Sequence, residues 1–499
     1  MVALAVQSGP ANAAAEREAG ATAVALTGTA RASAIAQAQN DAPATAKAIG
    51  LGDQEGLVAR DVVKDADGTV HTRYERTYAG LPVLGGDLVV HASKSGARST
   101  TKASQARISV DTKAASLAAP KGARKVVWAV GGASVLAWES VTEGVGDDGT
   151  PSKLHTVTDA RTGKVIYSYD AIETGIGASE YSGSVTVGTK SNGSQFELND
   201  TARGGHKTYD LAGGTSGTGT LFTDADDTWG NGTPADRQTA AVDAHYGAAV
   251  TWDFYKNELG RLGIRGDGGA AYSRVHYGNA YVNAFWDDSC FCMTYGDGAN
   301  NTKPLTSLDV AGHEMSHGLT ASTAGLRYTR ESGGLNEATS DIFGTSVEFY
   351  AANSADPGDY LIGEKIDIHG NGTPLRYMDK PSRDGASADY WDRNVGRLDV
   401  HNSSGVANHF FYLLSEGSGA KTINGVGYNS PTANGATVAG IGRTKAYKIW
   451  YKALSVYMTS STDYAGARTA TLNAAADLYG TGGTEYQAVA AAWTAVNVK

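Results

Sequence analysis

Residues 309–341 read DVAGHEMSHGLTASTAGLRYTRESGGLNEATSD, which concentrates side chains suited to metal and proton chemistry. His313-Glu314-Met315-Ser316-His317 fits H-E-x-x-H, and Glu337 and Asp341 follow in NEATSD. Residues four apart share a helical face, so His313 and His317 are spaced to grip one ion together. Glu314 is offset around the helix, close enough to reach a water beside that ion without binding it. Catalytic zinc takes three protein ligands and keeps a fourth position open, and two imidazoles plus the Glu337 carboxylate make such a set. A centre of this kind lowers the pKa of water towards about 7 and polarises a carbonyl, while Glu314 can carry the water proton to a leaving amine. Asp341, one turn after Glu337, is placed to accept a hydrogen bond from the non-ligating nitrogen of His313 or of His317. Two histidines four apart also arise on ordinary solvated helices. The carboxylates that follow at helical spacing weigh against that reading.

The rest of the chain must position these groups. Its 499 residues exceed one ordinary domain. Lys and Arg number 42 against 52 Asp and Glu, with no basic run, which argues against nucleic acid or an anionic membrane as partner. The 64 glycines among short polar residues suit a loop-rich, solvent-facing protein. No stretch approaches the roughly 20 apolar residues of a membrane span. The only cysteines, Cys290 and Cys292, are close enough for a local staple or two free thiols, and no His or Cys nearby makes them a metal site. MVALAVQSGPANAAAEREAG resembles the tail of a secretory signal, with Ala11-Asn12-Ala13 as a small-residue cleavage pattern, so residues 1–15 are read as a signal remnant and the protein as exported.

Residues 16–50 are alanine-rich and either helical or unstructured. VARDVVKDADG and VHTRYERTYAGLPVLGGDLVVHA alternate as strands about turns at Ala66-Asp67-Gly68 and Gly85-Gly86. VVWAVGGASVLAWESVTEG and LHTVTDARTGKVIYSYD predict a second small sheet, with Arg161-Thr162-Gly163 turning a hairpin. No cluster of catalytic residue types occurs there. Composition breaks at 172–179. Beyond it, Ala241, His245, Ala248, Ala249 and Trp252 recur at helical spacing and predict a helix over 239–261. SRVHYG and AYVNAFWD follow as strands. The motif helix is expected from about Thr306, capped by Ser307 or Asp309. A second helix is expected after a Gly333-Gly334 turn, capped by Asn336 and ending near Tyr350. SSGVANHFFYLLSEG, VAGIGRTKAYKIWYKALSVYM, DYAGARTATLNAAADLYG and EYQAVAAAWTAV make the remainder mainly helical.

These residues carry a family likeness. From about Tyr181 to Lys499 the chain resembles the secreted thermolysin-like neutral metalloproteases, in AAVDAHYGAAVTWDFYKN, VNAFWD, LDVAGHEMSHG, AGLRYTRESGGLNEATSDIFGTSVEFY, PLRYM and VHNSSGVANHFFYLL. RYERTYAGLPVLGGDLVVH and TVTDARTGKVIYSYD resemble the two-part propeptide of the same enzymes. The resemblance implies an α+β, two-lobed zincin-type fold. A β-rich lobe with the motif helix would span 174–322 and a mainly helical lobe 323–499. An α+β propeptide at 16–173, in parts at about 45–105 and 110–172, would act as folding aid and inhibitor. It further implies His313, His317 and Glu337 as zinc ligands, Glu314 as general base, Asp341 behind His313, and Tyr328 and His401 beside the developing oxyanion. Substrate backbone would be held by Asn283, the Ala284 carbonyl and Arg376. Val310, Ile362 and Leu375 would wall an apolar pocket that selects Leu, Phe and similar residues after the scissile bond. Read without the likeness, those three are core residues.

Asp309, Glu348, Asp359 and Glu364 match carboxylates of the family's calcium site, and oxygen clusters suit Ca²⁺. Leu361 stands where the family has another acid, which favours one ion over a pair. Asp224 and Asp226 in TDADD match a weaker calcium loop or form a solvated acidic turn. Asp399 stands two before His401, and the resemblance leaves the partner that orients His401 open. His245, His276 and His409 are read as structural or solvent-facing. The sum is a monomeric, exported zinc endopeptidase made as a latent precursor. A zinc aminopeptidase would need its ligand carboxylate where Asn336 stands and an acidic motif where the chain has VNAFW. A binding protein on an inactive scaffold would need the loss of Glu314 or of a ligand.

Overall fold

The computed structural model describes residues 23–24, 28–65, 68–104, 107–114, 117–130, 134–145, 151–170 and 174–499. The signal-like residues 1–15, residues 16–22 and 25–27 of the alanine-rich stretch, Ala66 and Asp67 of the first expected turn, and Ile172 and Glu173 of the composition break lie outside that set. Contacts divide the chain into two compact units, 1–171 and 172–499. No helix among the described residues is long and apolar enough to cross a membrane.

In the first unit the alanine-rich segment is a helix, Gly28–Ala48, laid on an antiparallel sheet. Ala42 and Ala46 of the helix meet Leu57, Ala59, Tyr74, Leu88 and Val90 on the inward face of strands Glu55–Asp65, Val70–Tyr78 and Leu88–Ala92. The short strand Leu81–Leu84 pairs antiparallel with Val70–Tyr78 and parallel with Arg124–Trp128, and so joins this sheet to a second meander. That meander continues through Val135–Val145, Pro151–Asp159 and Val165–Asp170, with the expected hairpin at Arg161-Thr162-Gly163. Among its described residues, 107–170 holds strands, turns and loops with no α-helix, and Val130 takes a 3₁₀ conformation.

The second unit opens with a mixed sheet whose strand Ala284–Asp287 lies at one end of the strand order, paired only with Cys292–Tyr295. Helix Arg237–Leu259 packs against it. The Asp236 carboxylate accepts the Gln238 N–H and sets the helix start two residues earlier than periodicity suggested, and Gly260 closes it at φ 65°. The motif helix is Leu308–Ala321. Ser307 takes its N-cap position, yet its hydroxyl donates to Asp309 Oδ1 rather than accepting a backbone N–H.

The next helix differs from expectation. It runs Arg330–Ala351, so Gly333 and Gly334 lie inside it, and the reversal is made by residues 322–329. A Cβ on Gly333 would meet Val400 Cγ1 at 2.4 Å, and one on Gly334 would meet Ser403 Oγ at 2.5 Å. Each glycine costs the helix about 1 kcal/mol against alanine. In return the segment Val400–Ser403, which carries His401, can seat directly on the helix. Gly344 works likewise on another face: a Cβ there would lie 2.4 Å from the Asp309 carbonyl oxygen. The two helices therefore touch backbone to backbone, which fixes the distance from His313 and His317 to Glu337.

Behind them stands a helical lobe of Gly405–Glu416, Arg443–Lys452 continued by a π-helical turn at Ala453–Tyr457, Tyr464–Tyr479 and Thr484–Ala495. Phe410 stacks on Trp493 at 3.8 Å between centroids, with Trp450 beside them. Fully buried side chains of this kind contribute on the order of 2–3 kcal/mol each. One continuous core links this lobe to the sheet through Phe254, Phe343 and Val347.

Candidate active site

The motif helix presents His313 and His317 on one face, with their Nε2 atoms 3.1 Å apart. Glu337 reaches between them from the return helix, Oε2 lying 3.4 Å from His313 Nε2 and Oε1 3.5 Å from His317 Nε2. The opposite edge of each ring is anchored. His313 Nδ1 donates to Asp341 Oδ1 at 2.8 Å and His317 Nδ1 to Asn336 Oδ1 at 2.8 Å. Asn336 is thus no helix cap; its amide also donates to the Leu326 carbonyl, tying the 322–329 reversal to the site.

The electrostatics follow from this arrangement. Burial draws His313 down, but its hydrogen bonds to Asp341 and Glu337 outweigh that and raise it to about 10. Burial, together with the neighbouring His313 charge, pushes His317 down to about 4. Glu337 is buried too, yet His317 and His313 hold it well below the carboxylate range. The three groups are built around one positive centre. Glu337 Oε2 is also buried without a hydrogen-bond partner. Two imidazole nitrogens with fixed outward tautomers, a buried carboxylate oxygen with nothing to accept, and an open side form a donor set that fits zinc. Among the described residues only one other group of His, Cys, Asp and Glu converges in this way.

Asp341 does more than orient His313. Arg376 donates to it twice, Nε to Oδ2 at 2.8 Å and Nη2 to Oδ1 at 2.6 Å, and Asn408 Nδ2 donates to Oδ2 at 2.8 Å. Burial would raise this carboxyl, but Arg376 and His313 hold it below its usual range. Arg376, expected on a peptide carbonyl, therefore has its fork on Asp341 while still lining the cleft. Sequence reasoning missed Asn408 and the role of Asn336. Both stand next to a residue already singled out, Asn336 beside Glu337 and Asn408 beside His409 within VHNSSGVANHFFYLL.

Around the cluster lies a cleft of about 1070 Å³. Glu314 lines it, buried; burial and Glu337 raise its carboxyl to about 7 against the pull of His313 and Arg376. Tyr328 donates its hydroxyl to Glu337 Oε1, and the Tyr328 hydroxyl oxygen lies 3.2 Å from His401 Nε2. Asp399 Oδ1 is 2.7 Å from His401 Nδ1 and accepts the His401 backbone N–H, which supplies the orienting partner left open by the sequence. Asn283, Ala284, Val310, Ile362 and Leu375 line the same cleft.

A second cluster sits where the motif and return helices meet the 356–364 loop. Carboxylate oxygens of Asp309, Glu348 and Glu364 lie within 4.8 Å of one another. Asp359, expected with them, is not in that converging set; its backbone N–H donates to Glu348 Oε2 instead. Asp356 was missed, and with Glu348 and Glu364 it keeps a buried oxygen without a partner. Asp224 and Asp226 form an exposed turn. Asp224 Oδ1 accepts the Asp226 N–H and Asp226 Oδ1 the Thr228 N–H, and among the described residues no third ligand converges on them. His245, His276 and His409 are buried and bonded within the fold, to Thr208 and Gly188, to Asp297 and Arg237, and to Asp389 and Ser430. Cys290 and Cys292 form a disulfide.

A two-lobed fold with a two-histidine, one-glutamate centre in its cleft defines a metallopeptidase class, and the comparisons agree. Residues 174–321 match the family model for the thermolysin metallopeptidase catalytic domain, and 324–498 that for its alpha-helical domain. Residues 55–98 match the fungalysin/thermolysin propeptide motif. The chain is 37% identical to a thermolysin of Alicyclobacillus acidocaldarius over 487 residues, covering 87% of this chain and 85% of that one. It is 61% identical over 476 residues to the transglutaminase-activating metalloprotease of Streptomyces mobaraensis, covering 91% of this chain but 62% of that protein's length. A solved protealysin precursor from Serratia proteamaculans aligns at TM-score 0.46 and 29% identity, over 59% of this chain and 87% of its own. The chain belongs to the thermolysin family of metallopeptidases and carries that family's propeptide motif.

Proposed function

We propose that this protein is an exported, monomeric zinc endopeptidase, made as a precursor and cutting peptide bonds before large hydrophobic residues. The observation that carries the reading is the buried set of His313, His317 and Glu337 facing Glu314 across one cleft. Held by those three residues, zinc would polarise the scissile carbonyl and make water nucleophilic near neutral pH. Glu314 takes the proton of the attacking water and returns it to the leaving amine, a task suited to a carboxyl raised to about 7. Tyr328 and His401 donate to the developing oxyanion, with Asp399 holding the imidazole. Asn283, the Ala284 carbonyl and Arg376 hold the substrate backbone. Val310, Ile362 and Leu375 form the wall that receives the residue after the cut.

In this reading Asp309, Glu348, Glu364 and the neighbouring Asp359 and Asp356 hold one structural calcium ion, since buried, partnerless carboxylate oxygens call for a cation. Residues 1–15 are the signal remnant and 16–173 the propeptide, which assists folding and inhibits. The catalytic lobes are 174–322 and 323–499. Likeness to a transglutaminase-activating relative makes a protein proenzyme a sensible substrate to try.

The test compares a blocked peptide amide containing a central leucine with a free-amine aminoacyl substrate, with and without a zinc chelator. Chelator-sensitive cleavage of the blocked peptide before leucine is expected. Cleavage of the free-amine substrate alone would replace this reading with an aminopeptidase.

A further inference from the structure

The apolar wall of the cleft has a support that does not itself face the cleft. Val310 belongs to a small buried cluster outside the main core, together with Tyr181, Leu305 and Ile366, and Ala284 and Ile368 pack against it. Five of these six residues line the cleft, and Tyr181 alone does not. Tyr181 is 7% exposed. Its hydroxyl donates to the Pro304 carbonyl at 2.7 Å, next to Leu305 in the chain. The tyrosine therefore fills space behind an apolar wall and is tied at its tip to the segment that carries part of that wall.

The backbone of Tyr181 is held as firmly as its ring. Ser179 Oγ accepts the N–H groups of Tyr181 at 3.2 Å and of Ser182 at 2.7 Å, closing a tight turn just after strand Thr174–Ala178. The same hydroxyl donates to Asp243 Oδ1 on helix Arg237–Leu259, and the Glu180 N–H donates to Asp243 Oδ2 at 3.3 Å. Thr306 Oγ1 lies 3.5 Å from that second oxygen. One buried carboxylate thus clamps both the turn that presents Tyr181 and the segment that presents Leu305. On the far side of the turn, Asn353 Nδ2 donates to the Ser182 carbonyl at 2.9 Å. A wall packed on a ring fixed in this way has no free volume into which to recede.

We propose that Tyr181 is a positioning residue that sets specificity: by backing Leu305, Val310 and Ile366 it fixes the depth of the pocket, and so the size of the side chain accepted after the scissile bond. The proposal rests on this wall receiving that residue of the substrate. Tyr181 lies outside the cleft lining and outside the zinc donor set, so changing it alters which bond is cut rather than how it is cut. One methylene more or less in an apolar pocket is worth roughly 10- to 200-fold in selectivity.

The experiment uses the full chain after maturation. Wild type is compared with Tyr181→Leu, which opens space behind the wall, and with Tyr181→Phe, which keeps the ring and frees the Pro304 carbonyl. Val489→Ala, a truncation in the main core, serves as the comparator for lost stability. The quantity measured is kcat/KM on three blocked peptides that differ only in having alanine, leucine or phenylalanine after the scissile bond. The phenylalanine-to-leucine ratio is taken within one preparation, so the folded fraction cancels. Tyr181→Leu is expected to raise this ratio about tenfold over wild type and Tyr181→Phe about threefold, while Val489→Ala leaves it within about twofold. A merely structural role would lower all three rates together and leave the ratio alone. An unchanged ratio in Tyr181→Leu, or the same shift in Val489→Ala, would overturn the proposal. If the leucine variant does not fold, Tyr181→Phe decides alone. Wild type that cuts the three peptides equally, or cuts none, refutes the pocket reading and the proposal with it. Wild type that prefers leucine and phenylalanine over alanine, with Tyr181→Leu keeping the wild-type ratio, refutes the proposal alone.

Discussion

The return helix Arg330–Ala351 carries buried carboxylates to two clusters, Glu337 and Asp341 in its middle and Glu348 near its end. At the first, His313, His317 and Arg376 surround the acids, and both are held below the ordinary carboxylate range despite burial. At the second, burial is reinforced by acids facing acids. Glu348 is driven well above its usual range, Glu364 to about 10, Asp359 to about 7 and Asp356 to about 6. One nearby cation, Lys365, lies 3.6 Å from Asp356 Oδ1. The same helix therefore serves a site that balances its own charge and a site that does not. The first is organised in advance for an ion that does chemistry. The second gathers buried acids that burial and mutual repulsion drive towards the protonated form.

Changes at the two sites should fail differently. His317→Ala removes a ligand from a balanced site, so hydrolysis should fall by about 10⁴-fold with zinc lost, and the chain should still fold. Metal analysis and circular dichroism on one sample check this, and retained zinc with retained activity would break the contrast. Asp341→Asn strips the partner of both Arg376 and His313. It should weaken zinc binding by about 10- to 100-fold and cost on the order of 3 kcal/mol of stability, read by chelator competition and denaturant melts.

At the second cluster, a calcium-selective chelator should lower the melting temperature by about 5–10 °C while zinc stays bound. The sign with pH is specific. Carboxyls raised in the folded state bind more protons than in the unfolded chain between about pH 4 and their folded values, so the chelated protein should lose stability as pH rises from 5 to 8. The calcium-loaded protein should not. Thermal melts at both pH values decide it. The smallest effect belongs to Asp226→Asn in the exposed turn, where a change within about 0.5 kcal/mol is expected in the same melts.

Sequence revealed the first cluster well because its spacing is local: two histidines four apart with Glu314 between them on one helix, then Glu337 and Asp341 on the next. Its supports were harder to read. Asn336 looked like a cap because glycines preceded it, and the packing that makes Gly333 and Gly334 helical involves Val400 and Ser403, far along the chain. Asn408 approaches Asp341 from yet another helix. The acidic cluster was read only through family likeness, which favoured Asp359 over Asp356. Which carboxylate of a loop turns inward depends on backbone hydrogen bonds such as Asp359 N to Glu348 Oε2, and no periodicity encodes those. The fold was legible wherever a helix had an apolar face. It was least legible where glycines pack instead of turning.

Glu314→Gln tests the central claim most directly, because it removes the proton carrier and leaves His313, His317 and Glu337 in place. The account predicts one zinc per chain, blocked-peptide hydrolysis below about a thousandth of wild type, and a precursor left uncut near residues 172–179. A zinc-loaded variant that cleaves the peptide within about tenfold of the wild-type rate would contradict it.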